Sequence, residues 1–338
     1  RDEALGYYKR VAENMTGTEY ADNALLAIES IYQSEGRAKE YLAYIGSIGK
    51  GASKTDEEKD DFFFASAEQL FLDREYGKAM SALAEYVQEY PSGRNRDKAG
   101  FYMAECLRLT GDYERARDAY EEVIDRGESV FVETAMFRYA ELSFTLEHWN
   151  EAYLAYTSLY GKVSSGETGK SALVGRMRSA YRARLYPEAE ECAGAVAASD
   201  SVSVGLLREA EYVRAKSLLS LSRRDTAYEL FARLAKDPAD AYGAESAYLL
   251  VQDKFDRADY RAVEELVYAF SDSGTRQNYW LAKAFLVLGD SFAEQGDLRQ
   301  ARATFESVRD GYKPVSDTDD IPDNVRMRLE RLAEMDVK

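Results

Sequence analysis

Few residues in this 338-residue chain could do chemistry. There is one histidine, His148, and no Cys or Ser motif stands near it, so nucleophilic triads and imidazole metal sites lack their parts. His148 lies at a tight turn beside Trp149, which points to a capping or surface role. No Gly-x-Gly-x-x-Gly or Walker-type loop follows a strand pattern. Carboxylates abound, but among 61 acidic residues their pairing carries no information. The clusters Asp56-Glu57-Glu58 with Asp60-Asp61, and Asp317 with Asp319-Asp320, lack the alternating ligands and central glycine of a calcium loop. They read as solvated loops and helix starts. The expectation is a protein with no catalytic residue, no cofactor and no metal, not an enzyme. A net charge of -17 and a pI near 4.8 argue against nucleic acid as a partner. No apolar run approaches the roughly 18 residues of a membrane span.

The elements that would position any site repeat along the chain. Ala4, Tyr41, Ala79, Ala116, Ala152, Ala189, Ala227, Val263 and Ala301 are separated by 37, 38, 37, 36, 37, 38, 36 and 38 residues. Four residues after five of them stand Leu83, Tyr120, Tyr156, Phe231 and Phe305, and three further on Tyr86, Val123, Leu159, Leu234 and Val308. That spacing places all three on one helical face. An aromatic or leucine stands three residues before many anchors (Tyr76, Tyr113, Trp149, Tyr186, Tyr260, Leu298), after a turn that is Gly-Asp in Gly111-Asp112 and Gly296-Asp297. Gly ends a first helix there and Asp caps a second. Upstream run further amphipathic stretches such as 62–72, 100–109, 135–146 and 281–293, so each unit is helix, turn, helix. A 46% hydrophobic, 31% charged composition with 5 Pro suits a long helical core.

In these features the chain resembles the tetratricopeptide repeat family over essentially its whole length. The best copy spans 284–308, with Leu288-Gly289, Phe292, Ala301 and Phe305 at the family's packing positions; 63–91 carries the terminal Pro91. The first-helix small residue is Ala67, Ala104, Ala140, Ala215 or Gly289 in five units, but Glu29, Met177 and Val251 in three. The mean interval exceeds the family's period of about 34, implying longer helices or loops. The resemblance implies an all-α, right-handed superhelical solenoid of about eight helix-turn-helix units, with an N-terminal half unit and a C-terminal capping helix.

The expected organisation is an array over 1–161 that begins mid-repeat, a continuous array over 162–320, and a capping helix over 321–338. Residues 1–14, with Ala4, Tyr8 and Val11, read as the second helix of a unit whose first helix is absent; with Arg rather than Met at position 1, this suggests a fragment or processed product. The longer loops are 49–54, 161–169 and 312–321, the middle one reading as a hinge. Cys106 and Cys192 are two units apart, too far to bridge in a solenoid, and read as buried free thiols.

The resemblance further implies a protein or peptide partner in a concave groove lined by the first helices. Projected onto this sequence, the groove carries Phe64, Phe101, Phe137, Tyr212 and Tyr248, and one turn on Glu68, Glu105, Glu141, Arg178 and Lys216, with Arg182 beside Arg178. An aromatic stripe at helical spacing is more often inter-helix core. As groove, it offers acid in its N-terminal half and base in its middle. The acids would repel a chaperone's C-terminal carboxylate, whereas a basic segment suits the N-terminal half. The Tyr90-Pro91-Ser92 junction resembles that of bacterial envelope members such as the periplasmic Tol-Pal coordinator and the lipoprotein of the outer-membrane assembly machine. It implies an interaction scaffold at the periplasm or outer-membrane periphery, with cytoplasm as the alternative. A structural spacer with end-to-end contacts and a helical-array hydrolase are the other functions considered; a monomer is favoured.

Overall fold

A computed structural model describes residues 2–51, 54–127, 129–200 and 202–336. Among these it contains eighteen helices and no strand. Helix α1 (Asp2–Asn14) precedes eight pairs, each a first helix followed by a second. The pairs are α2 (Glu19–Ser34) with α3 (Ala38–Ser47), α4 (Asp56–Leu72) with α5 (Tyr76–Glu89), α6 (Arg96–Leu109) with α7 (Tyr113–Arg126), and α8 (Val132–Thr145) with α9 (Trp149–Lys162). They continue with α10 (Gly166–Arg182) and α11 (Tyr186–Ala197), α12 (Val204–Ser220) and α13 (Arg224–Leu234), α14 (Ala241–Asp256) and α15 (Tyr260–Asp272), then α16 (Asn278–Glu294) and α17 (Leu298–Gly311). Helix α18 (Ile321–Asp336) closes the series. The chain forms two compact units, residues 1–175 and 176–338, and the division falls inside α10. The 161–169 loop shrinks to residues 163–165, because Gly166 to Gly169 are already helical. Of the 49–54 loop, Ala52 and Ser53 lie outside the described residues, as do Val337 and Lys338 of the last helix.

The repeat works through burial. Ala79, Ala116, Ala152, Ala189, Ala227, Val263 and Ala301 are fully buried and Tyr41 nearly so. Their companions at four and seven residues on are also buried, apart from the partly exposed Ile48 after Tyr41, and Tyr86, Tyr120, Phe231 and Leu159 are completely or almost so. Burying a side chain of that size contributes about 1.5–3 kcal/mol, so the stripe supplies much of each pair's cohesion. The first anchor departs from this rule: Ala4 is exposed, and α1 instead buries Leu5 and Ala12, one residue further on. The small residue at the crossing is enforced sterically at Gly289, where an added Cβ would lie 2.3 Å from the Phe305 ring.

The turn inside each pair follows one backbone recipe with variable residues. A left-handed residue ends every first helix: Gly36, Arg74, Gly111, Glu147, Arg184, Ser222, Ala258 and Gly296, with φ between 56 and 84°. The next residue's N–H then reaches the carbonyl five residues back, at 2.9–3.0 Å in all eight, from Arg37 to Tyr32 through Asp297 to Phe292. This is the Schellman arrangement, which satisfies carbonyls that the helix end would otherwise orphan. Asp297 caps α17 by accepting from the Gln300 N–H, but Asp112 makes no such cap and takes Arg115 instead. Five of the eight left-handed residues are not glycine, and a Cβ there costs about 1–2 kcal/mol. Ala258 is exposed. Ala258→Gly is therefore expected to stabilise residues 176–338 by about 0.5–1 kcal/mol, after allowing for glycine's larger unfolded-state entropy; urea denaturation checks it.

Candidate functional site

The face expected to meet a partner runs along the first helices, and its aromatics are largely spoken for. In residues 1–175, Phe64 is buried, packed edge-on to Tyr86 with centroids 5.5 Å apart. Phe101 lies 6.0 Å from Tyr120 and stacks at 5.0 Å on Phe131, and Phe137 lies 6.4 Å from Tyr156. Phe101 and Phe137 remain half-buried. In residues 176–338, Tyr212 is buried, 5.0 Å from Tyr242, and Tyr248 is half-buried, 5.6 Å from Trp280. Phe64 and Tyr212 are thus inter-helix core and not contact residues, because a neighbouring helix supplies an aromatic at the same height.

The charged row one turn on is cross-linked to neighbouring helices. Glu68 accepts from Lys98 Nζ at 2.6 Å and from the Tyr102 hydroxyl at 3.0 Å, and Lys98 lies over the Phe64 and Tyr102 rings. Glu105 is buried on α6 and takes Arg108 through both oxygens, the buried Tyr120 hydroxyl of α7, and Arg138 of α8 at 3.6 Å. Burial works to raise its pKa, but the bonds from Arg108 and Tyr120 and the nearby Arg138 hold it below the usual carboxylate value. Glu141 pairs with Arg138 at 2.8 Å. In the second unit, Arg178 is bidentate to Glu209 at 2.6 and 2.7 Å. Lys216 meets Glu245 at 2.8 Å, and the Tyr212 hydroxyl donates to the same carboxylate at 2.6 Å. Asp290 is bidentate to Arg328 of α18 at 2.9 and 3.0 Å; burial still raises its pKa above the usual value.

The expected split, acid first and base in the middle, is therefore offset locally. Each of Glu68, Glu105, Glu141, Arg178 and Lys216 meets an opposite charge, and for most of them that partner sits on the next first helix of the chain. What stays accessible is Phe101 and Phe137 in part, Glu141 and Arg178 with side chains 46% and 47% exposed, and the exposed Arg182. Sequence reasoning missed Lys98, Arg138, Glu209, Glu245 and Arg328; the signal was an opposite charge about one repeat on, along the following first-helix stretch.

His148 makes no cap: its ring lies against Arg117 of α7 and Glu151 at 3.3 Å. Asp60 departs from the solvated reading, since it is buried and accepts from the Tyr86 hydroxyl at 2.5 Å and the Arg94 N–H at 3.0 Å. Asp319 likewise ties the loop before α18, accepting from the Tyr312 hydroxyl and the N–H groups of Val315 and Ile321. Glu58 closes a capping box with Thr55. Cys106 and Cys192 are buried free thiols, and burial pushes Cys106 up to about 12, so it is no nucleophile at neutral pH. Among the described residues, no group of three or more His, Cys, Asp or Glu is disposed to hold a metal ion, and no helix is long and apolar enough to cross a membrane.

Successive helix pairs with a small-residue crossing define an α-helical repeat protein. The tetratricopeptide repeat family model matches residues 98–126 and 283–313, which cover most of α6 with α7 and of α16 with α17. No curated protein matches the chain. A tetratricopeptide repeat protein from Parabacteroides merdae is 14% identical and similar at a TM-score of 0.42, over 80% of this chain and 98% of that one. MamA from Desulfovibrio magneticus RS-1 is 13% identical, with a TM-score of 0.39 over 53% of this chain and 93% of its own. The apo quorum sensor NprR from B. thuringiensis is 11% identical, with a TM-score of 0.35 over 91% and 97%.

Proposed function

We propose that this protein is an interaction scaffold that holds a polypeptide segment along the first-helix face. The observation that carries this reading is the set of cross-helix pairs, Glu68–Lys98 in the first unit and Lys216–Glu245 in the second among them, which fixes that face before any partner arrives. Preorganisation of this kind lowers the ordering cost of binding. Because the row is charge-balanced, recognition rests within residues 1–175 on the half-buried rings of Phe101 and Phe137 with polar contacts to Glu141, and within residues 176–338 on the ring of Tyr248 with polar contacts to Arg178 and Arg182. On the Tyr90-Pro91-Ser92 junction between α5 and α6, the proposal extends to assembly of a bacterial envelope complex at the periplasm or outer-membrane periphery. A photocrosslinking residue at Phe137 is expected to trap a partner in cells of the native source, whereas the same residue at Leu154, 65% exposed on α9, traps none. Equal trapping at both positions, or trapping at Leu154 alone, would sink the reading.

A further inference from the structure

Two helix pairs of the chain can be laid on one another by their crossing residues, Ala67 of α4 and Gly289 of α16. In the α4–α5 pair, Tyr86 is fully buried: its ring lies 6.1 Å from Phe63 and 5.6 Å from Tyr90, and its hydroxyl donates to Asp60 at 2.5 Å. In the α16–α17 pair, Phe285 and Tyr312 repeat Phe63 and Tyr90, but Val308 stands in the place of Tyr86 and Ala282 in the place of Asp60. The space that Tyr86 fills in one pair is open in the other, for Ala282, Phe285, Val308 and Tyr312 all line a pocket of about 280 Å³, with Leu281 beside them and Lys313 at the rim. The segment that follows, up to α18, contributes nothing to the lining beyond Lys313 and is tied by Asp319 to the Tyr312 hydroxyl and the Val315 N–H. Every wall of the pocket is thus an interior element of the chain.

The vacated volume describes its occupant. Valine and alanine in place of a tyrosine and its acceptor leave room for a ring but no carboxylate where Asp60 stands, and an unpaired hydroxyl opposes burial. A phenylalanine ring meets that condition and a tyrosine does not. The volume falls just below the roughly 300–1,000 Å³ of small-molecule sites, so it suits a single side chain. Lys313 is exposed and makes no ion pair among the described residues, which favours a carboxylate next to the ring. A second copy has no such group to offer, because none of the chain's phenylalanines or tryptophans is exposed and its exposed rings are tyrosines. The 313–320 segment contains no aromatic residue. We propose that the pocket between α16 and α17 takes a phenylalanine side chain of a partner polypeptide, with an adjacent carboxylate on Lys313. The proposal does not rest on the first-helix face described above.

The capped dipeptide N-acetylphenylalanylglutamate α-amide serves as probe. It is titrated into the 338-residue protein while the valine and leucine methyl signals are followed by NMR. Saturable shifts of the Val308 and Leu281 methyls are expected, with none at Leu154 and none anywhere from the alanyl analogue N-acetylalanylglutamate α-amide. Lys313→Glu should weaken binding about two- to fivefold; Lys313 is exposed, so its replacement leaves the fold intact. Val308→Phe fills the space with the chain's own ring, as Tyr86 does, and should weaken binding at least ~10-fold. Absence of saturable shifts, equal shifts from the alanyl analogue, or binding indifferent to Lys313→Glu overturns the proposal, and so does undiminished binding by a folded Val308→Phe protein. Where Val308→Phe does not fold, the analogue and Lys313→Glu still decide. A dimer in sedimentation that Val308→Phe dissociates assigns the pocket to a second copy and likewise overturns the proposal.

Discussion

Glu105→Ala should lower the stability of residues 1–175 by about 3–5 kcal/mol, the range for breaking a buried ionic pair by removing one member. The carboxylate joins three helices: Arg108 on its own helix, Tyr120 on α7 and Arg138 on α8. Removing it leaves the fully buried Tyr120 hydroxyl without its acceptor and the Arg108 guanidinium without its counter-charge, while Arg138 keeps Glu141. Glu105→Gln keeps an acceptor for Tyr120 and should cost less, about 1–3 kcal/mol. The folded pKa of Glu105 lies below its ordinary value, so the folded state binds the proton less readily than the unfolded chain. Its contribution is therefore present above the ordinary carboxylate range and is lost as pH falls through the lowered folded pKa. Urea midpoints between neutral and acid pH should converge for wild type and Glu105→Gln on acidification; a constant gap would show that the carboxylate is not coupled as described.

Gly289→Ala should destabilise residues 176–338 by about 1–2 kcal/mol, although alanine is the better helix former by about 1 kcal/mol. Two opposed effects meet here, and packing wins. The added methyl would stand 2.3 Å from one Phe305 ring atom and 2.7 Å from two others, and that ring is 1% exposed with no room to retreat. Overpacking of this kind costs about 1–3 kcal/mol. Phe305→Leu should recover part of the loss when combined with Gly289→Ala, since a smaller side chain makes room for the methyl. Thermal and urea melts of the two single changes and the double change form the test. Additive losses would mean that the ring and the methyl do not compete for the same space.

Much of this fold was legible because burial on a helix has a local signature. Eight of nine anchors lie in the core, and so do the residues four and seven positions on, Ile48 excepted. Two turns carried the signal of Gly111-Asp112 and Gly296-Asp297; four others were placed only by the aromatic three residues before the anchor, Tyr76, Trp149, Tyr186 and Tyr260. Arg74, Glu147, Arg184, Ser222 and Ala258 adopt the left-handed conformation because the backbone bonds around them require it, whatever their preference. At Gly36 the glycine was present without the following Asp. The candidate site was less readable. Phe64 and Phe137 occupy corresponding positions, yet one is buried and the other half-buried, a difference set by which rings the neighbouring helices supply.

By itself, the sequence determined the period, the helix-turn-helix unit and the face of each second helix that turns inward, because those follow from spacing along a single helix. The tertiary structure alone decided which polar residues are spent inside the molecule. Glu68, Glu105, Arg178 and Lys216 look alike as members of a charged row, and only the crossing of successive helices brings Lys98, Arg138, Glu209 and Glu245 against them. It also decided that Ala4 and Tyr8, which match Ala116 and Tyr120, are exposed where their counterparts are buried. A residue's pattern records which way it faces, whereas its accessibility depends on whether another helix lies across it.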